Sequence, residues 1–169
     1  DSPNSGAYYG KWMQQAWEQG RVCSIPVDPG ADCITAWDLG MDDSTSIWIF
    51  QLVRRELRAV QYYEAQGEGL EHYTNWLKDW AEQHRVRFGA HILPHDIEVR
   101  ELGTGVSRKE VAQSLGLRPI TTAPRLGVDD GINAVRRLLP RMWFDQTRCA
   151  TGIAALTDYS KDYDEARQV

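Results

Sequence analysis

The chain has 169 residues, 42% hydrophobic and 25% charged, with seven Trp, seven Tyr and a net charge of −5. That length suits one domain with a sizeable core. The acidic balance argues against a surface that is basic throughout for nucleic acid, and leaves room for a local basic patch. No run approaches the roughly 18 apolar residues of a membrane span, and no signal-peptide pattern is present.

Residues 1–30 read as an arm or linker. Asp1-Ser-Pro-Asn-Ser-Gly6 is polar and turn-forming, and the aromatic stretch 8–17 suits one amphipathic helix ending before Gly20. Residues 26–30 then read as a loop. The spacing Gly6-Ala-Tyr-Tyr-Gly10-Lys11 lacks both the four intervening residues and the Ser or Thr of a phosphate-binding loop. The first residue is Asp, not Met, which suggests a fragment or processed product.

From residue 31 the pattern is regular. Residues 34–39 form an apolar strand broken by Asp38, and 40–43 a turn. Residues 45–52 alternate with period two, as in a buried strand. Arg54-Arg55-Glu56 marks a turn, and 57–65 a third strand antiparallel to its neighbour. Leu70, Tyr73, Trp76, Leu77, Trp80, Ala81 and His84 recur at helical spacing. A short strand over 88–93 ends at Pro94. Ser107-Arg-Lys-Glu110 is a capping box opening a helix that Gly116 stops. A strand over 118–122, a helix capped by Asp129 or Asp130 and closed by Pro140, and a last helix over 151–163 complete the chain. Three antiparallel strands followed by alternating helices and strands predict a mixed sheet flanked by helices.

Two carboxylates stand out. Asp is depleted in strands, and burying it unpaired is costly, yet Asp38 interrupts one apolar strand and Asp96 follows another. If those strands are neighbours, the two acids meet at the sheet edge where such folds place their sites. Close carboxylates repel unless a cation bridges them, and Mg2+ or Mn2+ prefers carboxylate oxygen. The alternative is that Asp38 caps one turn and Asp96 starts another. His91 and His95 are four apart, but Pro94 and β-prone residues between them remove helical ligand geometry, which favours structural or surface roles. Gly103-Thr104-Gly105 either approaches a phosphate backbone or is a flexible loop. Cys23, Cys33 and Cys149 match neither a disulfide framework nor a zinc pattern, which points to a reducing, intracellular setting.

Several long segments resemble the nuclease domain of phage terminase large subunits. They include Gly6-Ala-Tyr-Tyr-Gly10, Thr35-Ala-Trp-Asp38-Leu-Gly-Met-Asp-Asp-Ser-Thr45, Tyr62-Tyr-Glu-Ala65 and Gly67-Glu-Gly-Leu-Glu-His-Tyr73. Leu93-Pro-His-Asp96 through Arg108, and Asp130-Gly-Ile-Asn-Ala-Val-Arg136, continue the likeness nearly end to end. The resemblance implies a ribonuclease H-like fold over 31–169 and two-metal cleavage of concatemeric double-stranded DNA. It implies Asp38 and Asp96 as catalytic metal ligands, Asp43 as an auxiliary acid or turn cap, and two Mg2+ or Mn2+ ions. His95, Arg100, Thr104, Arg108 and Lys109 are the expected DNA contacts. The parent protein would carry an ATPase domain, work with a small terminase subunit and a portal, and act in the host cytoplasm. The family's third acid, in a His-x-x-Asp-Ala context, is not found. Asp158, Asp162, Asp164 and Glu165 lack that context, so truncation before the third acid is the expectation, with substitution by one of these acids as the alternative. Another ribonuclease H-like nuclease, of resolvase or transposase type, and a non-cleaving DNA- or portal-binding module are the rivals.

Overall fold

The computed structural model describes residues 6–40 and 43–160. Its frame is a seven-stranded sheet ordered β1-β7-β4-β3-β2-β5-β6. Strands β2 (Cys33–Leu39), β3 (Ser44–Val53) and β4 (Glu56–Gln66) form the antiparallel meander expected from their alternation. β5 (Phe88–Leu93) pairs parallel with β2, and β6 (Ile120–Thr122) with β5. On the other side β7 (Met142–Asp145) pairs parallel with β4, and β1 (Val22–Cys23) with β7. Within this sheet only β3 runs against the rest.

Helices cover both faces. Trp37, Ile47, Ile49 and Val60 project to one face, where α2 (Leu70–His84) supplies Tyr73, Leu77 and Trp80, and α3 (Arg108–Ser114) supplies Ala112. Trp48, Phe50, Tyr62 and Phe144 project to the other, against α1 (Gly10–Glu18), α4 (Val128–Leu138) and α5 (Ala150–Asp158). Residue parity along β3 thus assigns each side chain to a core, as the pleat requires. α5 approaches the sheet very closely at Gly152. A Cβ there would sit 2.6 Å from the Trp48 ring and 2.7 Å from Tyr62.

The segment read from sequence as an arm is built into this frame at α1 and β1. Met13 and Ala16 are buried in the second core. The buried Arg21 donates to the carbonyls of Leu139 (2.8 Å) and Met142 (2.7 Å). Asp145 accepts from the Ile25 amide at 2.8 Å, and Arg148 donates to the carbonyls of Val60 and Ile25. Buried polar groups have to be paired, and here the pairing fastens the segment to β7. The loop before β2 is held the same way. Gln51, fully buried, accepts from the Asp28 amide (2.9 Å) and donates to the carbonyls of Asp28 (2.7 Å) and Ala31 (2.9 Å).

Two local signals appear as expected. Ser107 and Glu110 make the reciprocal capping box at the start of α3. The β3–β4 turn is a two-residue loop, with Arg54 at φ 51° and Arg55 at φ 70°. Positive φ at both positions is the primed hairpin turn that suits Asn-Gly, and L side chains there cost about 1–2 kcal/mol each.

Candidate metal centre

β2 and β5 are neighbours and parallel, so their carboxyl ends emerge side by side. Ala36 pairs with Ile92, and two residues further along β2 comes Asp38. β5 ends at Leu93, and a 3-10 turn over His95–Glu98 carries Asp96. The condition set from sequence, adjacency of the two acid-bearing strands, is met.

Asp38 is exposed and projects to the face opposite Trp37. Across the meander it is in register with Ser46, and Ser46 with Glu64. This row borders a cavity of about 560 Å³ whose lining includes Asp38, Ser46, Trp48, Tyr62, Glu64 and Asp158. The Tyr62 hydroxyl donates to Glu64 at 2.7 Å. Burial, that hydrogen bond and the charge of Glu64 push the phenol well above its usual value, with Asp38 adding to the effect. Sequence reasoning passed over Glu64. Its signal was the pairing register, which places it two strands from Asp38 on the same face.

Asp96 differs in one informative respect. Its Oδ2 lies 3.8 Å from the Arg108 guanidinium, whereas its Oδ1 is buried and accepts no hydrogen bond. An orphaned carboxylate oxygen is rare in folded proteins, and it is the donor type that hard divalent cations take. That donor chemistry fits a divalent ion at Asp96, and Asp38 lies at the end of the neighbouring strand. Among the described residues no group of three His, Cys, Asp or Glu side chains is arranged to hold one. Asp43 sits at the turn after β2 with φ 56°, exposed, its carbonyl accepting from Gly67. Asp162, Asp164 and Glu165 lie outside the described residues. Asp158 closes α5 on the Asp38 cavity.

Of the expected DNA contacts, Arg108 lies beside Asp96 and His95 is exposed on the same 3-10 turn, while the others engage neighbours of their own. Arg100 pairs with Glu110 (2.9 Å) and donates to the Gly105 carbonyl (2.7 Å). Lys109 pairs with Glu98 at 3.0 Å, and Thr104 accepts from the Val106 amide. These bonds make 100–107 an ordered loop. Beneath the site a buried chain links the two strands: the Trp37 indole donates to Thr35 Oγ1 (2.9 Å), which meets His91 Nδ1 at 2.7 Å. The Thr35 hydroxyl, with one proton and two lone pairs, can accept from Trp37 and still meet His91 Nδ1 in either tautomer of the neutral ring. Burial pushes the His91 pKa down to about 4. His91 is thus structural, as its sequence context suggests.

No protein-family model and no curated protein matches this sequence. Solved structures do. The large terminase of a thermophilic bacteriophage superposes with a TM-score of 0.65 at 17% identity, over 92% of this chain and 39% of that one. The fold is that of a large-terminase nuclease domain. The P22 large terminase nuclease domain gives 0.60 at 17% identity, covering 86% of this chain and 77% of its own. The large terminase nuclease of phage G20c, solved with bound magnesium, gives 0.58 at 13% identity, covering 94% and 82%. The expected ribonuclease H-like architecture is borne out by these likenesses. The chain spans about two fifths of the first of these terminases, 39% of its length. No helix among the described residues is long and apolar enough to cross a membrane.

Proposed function

We propose that this chain is the metal-dependent endonuclease domain of a viral DNA-packaging motor, cutting concatemeric double-stranded DNA into genome lengths by two-metal-ion hydrolysis. One observation carries the reading. In a terminase nuclease fold, Asp38 lies at the end of β2 and Asp96 on the turn that follows the adjacent parallel β5, and Asp96 Oδ1 is buried with no hydrogen-bond partner. The two carboxylates hold Mg2+ or Mn2+, with Asp43 as an auxiliary acid. When bound, such an ion lowers the pKa of water and neutralises charge developing on the leaving oxygen. Arg108 beside Asp96 limits carboxylate repulsion before the ion arrives. His95, Arg100, Thr104, Arg108 and Lys109 then position the phosphodiester backbone over the acids. In the longer protein the partners are an ATPase domain, a small terminase subunit and a portal, with the host cytoplasm as the setting.

A second reading has one specific support. A DNA- or portal-binding module that does not cut suits the absence of a three-acid cluster among the described residues. Plasmid cleavage separates the two. Wild-type protein with Mn2+ is expected to nick and linearise supercoiled DNA, and Asp38→Asn to lower the rate by about 100-fold, the upper end of what loss of even an outer-shell partner of a metal ligand costs. Undiminished cutting by Asp38→Asn would sink the assigned site. No cutting at any Mn2+ concentration would favour the binding module.

A further inference from the structure

The β3–β4 turn breaks the rule for its own geometry. Two adjacent positions at positive φ are filled by Arg54 and Arg55, where Asn-Gly relieves the strain. Local violations of folding preference concentrate where something other than folding selects the residue. Both side chains are exposed, and among the described residues neither forms an ion pair, whereas nearby Arg58 holds Glu56 at 2.8 Å. A chain of net charge −5 thus presents two uncompensated cations on one tip.

The shape of the tip narrows the partner. β2 begins pairing with β3 at Cys33–Gln51, and β7 with β4 at Leu57–Met142, so the turn extends two residues of β3 and one of β4 past the paired ends of the flanking strands. A two-stranded ribbon of this kind enters a DNA major groove about 12 Å wide, where arginine meets phosphate with two donors at once. Leu52, 61% exposed at the base of the tip, adds an apolar contact for sugar or a thymine methyl. A protein partner would need a similarly narrow anionic cleft. Arg54 lies eight residues along the chain from Ser46, the cross-strand partner of Asp38. That is about 26 Å at about 3.3 Å per residue, so whatever the turn grips is not the phosphodiester at the acids.

We infer that the Arg54-Arg55 turn is a second duplex-DNA contact, remote from the metal centre, which inserts both guanidiniums between backbone phosphates. The inference rests on the DNA-cleaving role proposed above, and its test is independent of cutting. The probe is a duplex of about thirty base pairs, titrated in EDTA by fluorescence anisotropy from about 0.05 to 0.3 M salt. The variant is Arg54→Asn with Arg55→Gly, which installs the favoured turn sequence. Its melting temperature is expected to hold or rise. Two lost phosphate contacts lower the slope of log K against log salt by about 1.8, which weakens binding roughly ten- to sixty-fold near 0.1 M. Unchanged affinity and slope in the folded variant overturn the inference, and point to an acidic protein or to no partner. So does a lowered melting temperature, which would make the arginines structural, or a wild-type chain that does not bind the duplex. Failure here with Asp38→Asn still abolishing cleavage leaves the nuclease reading intact. A slope change without any cleavage does the reverse.

Discussion

Lowering the pH from 7.5 to 5 removes about 2 kcal/mol of folding stability through His91 alone, by the linkage between proton uptake and unfolding. The side chain is 2% exposed, with Nδ1 committed to Thr35 and Phe88 against its ring. Burial lowers its pKa from 6.5 to about 4. The unfolded chain therefore binds a proton that the folded chain refuses between those two values. Stability is complete above pH 6.5, falls as the pH drops through that window, and has no more to lose below about 4. The full difference of about 2.5 units corresponds to about 3 kcal/mol, of which about 2 is gone at pH 5. Urea denaturation of wild type and His91→Gln at both pH values measures it, because other titrating groups cancel in the comparison. The glutamine variant starts less stable and shows the shallower pH dependence. Identical pH dependence in the two proteins would refute the buried neutral imidazole, as would an NMR titration that places the His91 midpoint near 6.5.

Two further outcomes follow from packing. Gly152→Ala places a methyl 2.6 Å from Trp48, and since two aromatic rings must move to admit it, the variant is expected to lose about 1–3 kcal/mol in urea denaturation. Unchanged stability would mean that α5 does not lie where it is described. Gln51→Leu fills similar volume but strands the Asp28 amide and the Ala31 carbonyl, while the Asp28 carbonyl keeps only its bond from the Ala31 amide. A loss of about 2–4 kcal/mol is expected, and a neutral result would show that water replaces the side chain.

What the sequence made readable were features whose cause is local. The alternation along β3, the helical repeat of α2 and the Ser107 capping box each depend on residues within one element, and each appears where expected. The adjacency of Asp38 and Asp96 was a conditional inference from strand order, and the parallel β2–β5 pairing meets the condition. β7 and β1 were missed because strands of four and two residues carry no usable period. Their strand character comes from pairing with partners more than eighty residues away, such as Leu57 with Met142. The packing of α1 was missed for a related reason. Met13 and Ala16 give no sign of a core until α4 and α5 supply one. Glu64 reads as an ordinary polar position on a strand until the register sets it across from Ser46.

The sheet also has a consequence for behaviour at high concentration. Its two longest strands, β3 and β4, are interior and covered on both faces, while its borders are β1 with two residues and β6 with three. Edges that short expose few unpaired backbone donors and acceptors to a second molecule. A chain rich in aromatic and β-branched segments is thereby kept from adding to its copies strand by strand.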